Sequence, residues 1–362
     1  MDQDLLQYIL HKEWAYAHGA PDVAVDFKTT PADFKVTEIF HPEDDPEGEH
    51  LLFYIEKTRV NTLVAARLLA KALKVKVQDI GFCGMKDKHA VTRQWFSVYA
   101  PSIKLTPDPQ WLSETMMHRF ASDGKVVALQ VSRTRKKIRR GDHKANRFDI
   151  TLRNIRSSHQ EVTRSQSAAG AASDYAEAKE KLFERLTLLK STGAPNYFGD
   201  QRFGRERQNL VLANDWFIQG IRPRRKDEQG FALSAARSAI FNACLSDRID
   251  RDVWDKMLSG EPEIYPTGPL WGRGRSLAID ELAEFEQATL SFFEPWLTQL
   301  EHQGLRQERR LSRIKLDDLQ IHSDDEHIGL SFSLPPGQYA TSVMRELAVV
   351  HEPVRDVTEA PA

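Results

Sequence analysis

Gly81-Phe-Cys-Gly-Met-Lys-Asp-Lys-His-Ala-Val-Thr-Arg-Gln-Trp-Phe-Ser97 is the most informative segment of this 362-residue chain. Val75 to Cys83 reads as a short apolar strand running into a glycine. Thr92 to Tyr99 reads as a second strand, rich in aromatic and β-branched residues. Between them Gly84 permits a tight turn of the backbone. The tip, Lys86-Asp87-Lys88, sets one carboxylate between two cations. Opposite charges a few ångströms away favour the ionised acid, so Asp87 should stay an anion, and an anion held in a cleft can act as a nucleophile. Taken alone, Lys-Asp-Lys after a glycine is also the pattern of a solvated hairpin tip.

The flanks of this segment are structured. Upstream, Thr30-Pro-Ala-Asp-Phe-Lys-Val-Thr-Glu-Ile-Phe40 turns at the proline and then alternates as a strand, with Phe34, Val36 and Glu38 on one parity. His50 to Glu56 is a further strand. Asn61-Thr62 caps a helix whose recurring Leu63, Ala66, Ala70 and Leu73 predict one buried face. Downstream, Val126 to Val131 is a strand. The stretch Arg135-Lys-Lys-Ile-Arg-Arg-Gly-Asp-His-Lys-Ala-Asn-Arg-Phe148 turns at Gly141-Asp142 and enters a strand over Arg147 to Leu152, with Asn146, Phe148, Ile150 and Leu152 facing one side. Cations beside an aromatic residue suit phosphates and an unstacked base, although a basic hairpin with a solvated face has the same composition.

The totals describe a soluble globular protein of about two domains: 41% hydrophobic and 28% charged residues, and a net charge of −2. That balance argues against a non-specific nucleic-acid binder. Charge is unevenly spread, however: Arg133 to Arg156 holds ten Lys/Arg against two Asp, while Glu43 to Glu49 gathers acids. A neutral whole with one basic face is compatible with reading one RNA. No apolar run nears the ~20 residues of a membrane span, and the start of the chain lacks the pattern of a signal peptide. Two cysteines, Cys83 and Cys244, make neither a disulfide framework nor a zinc site, so a cytoplasmic setting is expected. Gly268 to Gly274 is read as a tight loop without the pattern of a nucleotide fingerprint, and no cofactor or metal is expected. Ser157 to Ser173 is small and polar and is read as a flexible insertion. A helix is expected from about Asp174 to Lys190, ended by Gly193. Arg306 to Lys315 is a second basic stretch, read as a solvated edge that could extend a phosphate track.

The segment around Asp87 closely resembles the Gly-x-Lys-Asp-Lys-x-Ala-x-Thr-x-Gln motif of the TruD family of tRNA pseudouridine synthases. The resemblance recurs along the chain. Pro31-Ala-Asp-Phe34 resembles the family's Pro-Glu-Asp-Phe signature, with Ala32 for the glutamate. Arg139 to Phe148 resembles its second motif, with Ala145 where glycine is common. Phe332-Ser-Leu-Pro-Pro-Gly-Gln-Tyr-Ala-Thr341 and Met344-Arg-Glu-Leu347 resemble its closing motif. Gly193 to Gly204 resembles the entry to the domain inserted in that family.

The resemblance implies conversion of uridine to pseudouridine in tRNA, characteristically at position 13, on a flipped nucleotide. It makes Asp87 the catalytic residue, attacking either C1′ of the ribose or C6 of the base, with Lys28 as its charge partner. Asn146 would contact the uridine, Phe34 and Phe148 would stack on it and Phe332 would line the pocket. Lys86 and Lys88 would flank the substrate, and Arg139, Arg140, His143 and Lys144 would follow the RNA backbone. The implied fold is α+β: a mixed or antiparallel pseudouridine synthase sheet with flanking helices, formed by residues 1–192 and 307–362 around an α/β insertion at 193–306. A monomer with tRNA as partner and no membrane contact is expected. The same basic face and aromatics would also serve a non-catalytic tRNA chaperone.

Overall fold

A computed structural model describes the backbone of residues 2–118, 123–158, 168–324 and 327–353, and the side chains of 5–118, 123–158, 174–324 and 327–353. Residues 159–167 of the expected insertion and the tail beyond 353 lie outside the described residues. The chain divides into two compact units. One holds Val23–Glu180, Leu316–Gly337 and the chain from Val349; the other holds the chain up to Asp22, Lys181–Lys315 and Gln338–Ala348.

The first unit is built on a mixed sheet. In chain order its strands are β1 (Val23–Asp26), β2 (Phe34–Ile39), β3 (His50–Thr58), β4 (Ile80–Phe82), β5 (Val91–Tyr99), β6 (Lys125–Thr134) and β7 (Ala145–Ser157), followed by Gln320–Ser323, Ile328–Leu334 and Val349–His351. The spatial order is Gln320–Ser323, Ile328–Leu334, β7, β2, β5, β3, β6. Most pairs are antiparallel; β2 runs parallel to β5, and β1 parallel to Val349–His351. β3 pairs with β5 along its whole length, from His50↔Tyr99 to Thr58↔Val91. The opposite edge of β5 is therefore shared: β2 takes Val91 to Arg93, and β4 takes Phe96 to Val98. The loop carrying Asp87 leaves the sheet where β4 ends and rejoins it at β5.

The alternating pattern of β3 has a physical cause. Leu51, Phe53 and Ile55 pack with Phe96 and Val98 against the helices Thr62–Leu73 and Pro109–Met117, while Leu52 joins Trp95, Cys83 and Ile138 on the other side. The Asn61 cap forms as expected, its side chain accepting from Leu63 N–H at 2.8 Å. The expected face holds at Ala66, Ala70 and Leu73, which are buried, and fails at Leu63, which is exposed; Ala65, Leu68 and Leu69 widen it. The strand expected over Val75 to Cys83 is only three residues long, because Val77–Asp79 closes as a 3₁₀ turn.

The second unit is chiefly helical. Helices Gln208–Gln219, Lys226–Asp250, Asp280–Leu290 and Glu294–His302 enclose Phe241, Phe293, Trp296 and Leu300. The helix read from about 174 to 190 spans Ala168–Thr192, and its part in this unit, from Lys181, buries Leu182, Leu186 and Leu189. Gly193 follows it at φ 80°, where an added Cβ would lie 2.1 Å from the Ile314 carbonyl oxygen. The expected loop at Gly268 is instead a strand, Thr267–Leu270, paired with Glu308–Leu311. Its glycine lies against the Phe241 ring, 2.9 Å from where a Cβ would sit, a contact the sequence does not announce. The basic stretch at 306–315 is not a solvated edge throughout. Arg309 turns inward onto Glu286 at 2.7 Å, and Arg310 packs on Phe198. No described helix is long and apolar enough to cross a membrane.

Candidate active site

The loop between β4 and β5 starts from a constrained position. An added Cβ on Gly81 would lie 2.2 Å from the Ile138 carbonyl oxygen and 2.7 Å from Ser97 Oγ, whereas one on Gly84, expected to make the turn, would meet only His143 Cε1 and Lys86 Nζ at 3.9 Å, an ordinary contact distance. Glycine is thus required inside β4, three residues before the expected turn, where the chain passes under Ile138. Beyond it, the Asp87 side chain keeps 21% of its surface. Lys28 Nζ donates to Asp87 Oδ2 at 2.8 Å and His89 N–H donates to Oδ1 at 2.8 Å. Burial alone would raise the Asp87 carboxyl. The charge and hydrogen bond of Lys28, with the His89 N–H, outweigh burial and hold it below the usual carboxylate value. Lys28 is itself almost wholly buried, also meets Glu352 at 3.2 Å and lies over the rings of Phe27 and Phe34 at 5.0 and 4.7 Å. Its φ of 54° is left-handed, a conformation that costs a lysine about 1–2 kcal/mol.

The two lysines beside Asp87 differ. Lys88 is half-buried. Lys86, expected at the substrate, points inward: its Nζ donates to Glu38 Oε2 at 2.7 Å, with the two side chains 4% and 0% exposed. Glu38 Oε1 accepts from Trp95 N–H at 3.1 Å. Trp95 follows the part of β5 that β2 covers and precedes the part that β4 covers, so this carboxylate supplies the acceptor that a strand would have given. Lys86 N–H donates to Thr62 Oγ1 at 2.9 Å, Thr62 Oγ1 to Gln94 Oε1 at 3.0 Å, and Gln94 Nε2 to the Gly84 carbonyl at 3.1 Å. The loop is thereby tied to the sheet and to the first turn of the Thr62–Leu73 helix.

The aromatic residues lie on one face of the sheet. Register places Val36 opposite Phe148, Glu38 opposite Asn146 and Phe148 opposite Phe332. Phe34 and Phe148 stack with centroids 6.0 Å apart, and Phe148 and Phe332 at 5.6 Å. All three rings are buried. Asn146 Nδ2 donates to His143 Nε2 at 3.1 Å, leaving Asn146 Oδ1 and His143 Nδ1 buried without partners among the described residues. Of the expected backbone cations, Arg139, Arg140 and Lys144 are exposed. His143 is not; it is 8% exposed, and burial together with the Lys86 charge lowers its pKa. Glu38, Cys83 and His143 bring three potential metal donors within 4.8 Å of one another. The Lys86 ammonium already occupies that carboxylate, and burial, reinforced by Glu38, keeps the Cys83 thiol protonated. The donor set suits a cation that is already part of the chain better than a metal ion.

The family model described as "tRNA pseudouridine synthase D (TruD)" matches residues 12–221 and 257–347. The chain belongs to this family. Relatives named tRNA pseudouridine synthase D include one from Cellvibrio japonicus, 42% identical over 91% of this chain and 91% of its own, and one from Chromohalobacter salexigens, 35% identical over 92% and 95%. A crystal structure from Methanosarcina mazei that carries the TruD designation superposes with a TM-score of 0.58 at 20% identity, covering 95% of this chain and 97% of its own. It shares the fold.

Glu38 and Lys57 are the site residues that sequence reasoning in this TruD chain did not assign. Lys57 has no exposed surface, and its Nζ donates to the Asp87 backbone carbonyl at 3.1 Å. It occupies the end of the Leu51, Phe53, Ile55 face, and a period-2 pattern ending in lysine was the available signal. Burial pushes its pKa down to about 7, with Asp87 opposing and Lys86 reinforcing the shift. Because the folded value lies below the unfolded value of 10.5, the unfolded chain binds more protons between the two. Stability therefore rises with pH from about 7 to 10.5 on account of this group, by up to about 1.4 kcal/mol per pH unit. Lys57→Met is expected to flatten that rise. Urea unfolding of both proteins at several pH values across the window measures it, and parallel curves would refute the assignment.

Proposed function

We propose that this protein isomerises uridine to pseudouridine in tRNA, at position 13, with Asp87 as the attacking carboxylate. The observation that carries this reading is the Asp87 carboxylate, held ionised by Lys28 on a loop anchored from both sides, with Lys28 itself lying over Phe34. The relatives carry synthase names, which weighs against a protein that only binds tRNA.

The reaction breaks the N1–C1′ bond and forms a C5–C1′ bond; C5 loses a proton and N1 gains one, with no net change in oxidation state. Asp87 attacks C1′ or C6, and both routes need the carboxylate as an anion. The target nucleotide has to leave its stack, at a cost of a few kcal/mol. One stacked base returns about 1–3 kcal/mol. The rings here already touch one another. A base slotted between two of them would need about 7 Å, twice the 3.4 Å stacking rise, so the uridine rests against this platform rather than within it. Asn146 Oδ1 is the buried acceptor suited to the uridine N3–H, oriented by the bond from Nδ2 to His143. Arg139, Arg140 and Lys144 supply exposed charge for phosphates. Cys83 and Cys244 are both buried thiols, in keeping with a reducing cytoplasm.

Unmodified tRNA transcript labelled with 5-tritiated uridine provides the test. The protein is expected to release tritium in proportion to one uridine per tRNA, and carbodiimide mapping of the product should stop reverse transcription at position 13. Absence of release from tRNA that the protein binds would leave the binding-only reading.

A further inference from the structure

The second unit contains two guanidinium groups on one aromatic ring. Arg310 Cζ lies 4.0 Å and Arg202 Cζ 5.1 Å from the centroid of Phe198. Arg310 donates to the Asn196 carbonyl at 3.1 Å and to Asn196 Oδ1 at 2.5 Å. Arg202 donates to Ser234 Oγ at 2.9 Å and to the Tyr339 hydroxyl at 2.6 Å. Every one of these acceptors is neutral. Other arginines in the same unit are treated differently: Arg248 pairs with Glu261 at 2.7 Å, Arg309 with Glu286 at 2.7 Å and Arg345 with Glu346 at 2.9 Å. Among the described residues neither Arg202 nor Arg310 has a carboxylate within ion-pair distance. Burial lowers Arg310 to about 10, with Tyr339 opposing the shift and the like charge of Arg202 adding to it, so Arg310 remains a cation at neutral pH. Neither residue is fully buried; both are half-buried. Two partly desolvated cations without a counter-charge cost stability; an anion bound to both lowers that cost. The Tyr339 hydroxyl accepts from Arg202 and retains its own proton to donate.

We propose that Arg202, Arg310 and Tyr339 form a phosphate site that takes a backbone phosphate of the tRNA. Planar guanidiniums match phosphate oxygens in pairs, and Phe198 fixes both forks before the ligand arrives. The assignment of RNA as the source of the phosphate rests on the function proposed above.

The test is equilibrium binding of unmodified tRNA to the full-length protein over a salt series. Losing one phosphate contact makes the slope of log K against log[salt] shallower by about 0.7–0.9. Arg202→Gln is expected to show this loss and several-fold weaker binding, with its circular dichroism and melting unchanged or improved. Arg310→Lys, which keeps the charge but not the fork, should hold the slope while weakening binding less than Arg310→Gln. If Arg310→Gln fails to fold, Arg202→Gln decides alone. Wild-type slope and affinity in folded Arg202→Gln would overturn the proposal. Inorganic phosphate provides the second arm: if it raises the melting temperature of wild type but not of Arg202→Gln while the tRNA slope is unchanged, the site takes free phosphate and the RNA assignment falls. Tritium release by wild type is scored separately, so loss of the slope without turnover would overturn the enzymatic reading and leave this one standing.

Discussion

Asp87→Asn is expected to lower pseudouridine formation by about 10⁴-fold or more, equivalent to about 5 kcal/mol of barrier, and to leave tRNA binding close to wild type. The substitution preserves shape and removes the charge. Asparagine Oδ1 can still accept the His89 N–H that now lies 2.8 Å from Asp87 Oδ1. The amide NH₂ would face Lys28 Nζ, donor against donor, where the carboxylate makes its 2.8 Å ion pair. Lys28 keeps Glu352 as a partner at 3.2 Å, so the loop loses one of its ties rather than all. The loss of rate should therefore exceed any loss of stability by a wide margin. Single-turnover tritium release from saturating enzyme separates the two, because at saturation a binding defect no longer contributes. Near-normal release from a folded, tRNA-saturated variant would remove Asp87 from the chemistry.

The strand, bend and strand around Asp87 were legible because the aromatic and β-branched content of Thr92 to Tyr99 and the glycines before it are local signals. The face shared by Phe34, Val36 and Glu38 followed from parity, and the register of β2 on β7 places Phe148 on it. What parity could not say is why a glutamate belongs on an apolar face. Its reason lies 48 positions away in Lys86 and 57 positions away in the Trp95 N–H. Lys86 was misplaced for the same reason: a lysine in a charged tip looks solvated until the partner that buries it is known. Arg309 and Arg310 repeat the lesson, since a run of basic residues carries no sign of Glu286 waiting on the Asp280–Leu290 helix or of Phe198 in the loop after Gly193. His143 sits in a basic run and is buried nevertheless. Side chains whose role depends on one distant partner escape a reading by period and composition; those whose role depends on their neighbours in sequence do not.

Glu38→Ala is expected to destabilise the protein by about 3–5 kcal/mol, the cost of leaving one member of a buried ion pair alone. That is a large share of a domain stability of about 5–15 kcal/mol. Two groups lose their partner at once: the Lys86 ammonium, 4% exposed, and the Trp95 N–H between the segments of β5 covered by β2 and β4. Urea unfolding should show a lower midpoint with an unchanged slope. Glu38→Gln/Lys86→Met removes both charges and keeps an acceptor for Trp95, so it should recover more than half of the loss; a coupling energy of about 2 kcal/mol or more is expected from the cycle. A loss under about 1 kcal/mol in Glu38→Ala would mean that Lys86 finds water or another anion, and the pair would not anchor the loop. The same double variant also tests what the pair is for. A buried pair stabilises less than well-packed apolar groups would, so its value here has to lie in geometry. Lys86 directly precedes Asp87, and fixing its side chain on Glu38 and its N–H on Thr62 Oγ1 fixes the peptide from which Asp87 projects. The double variant should therefore regain stability without regaining kcat, whereas a pair serving only the fold would restore both together.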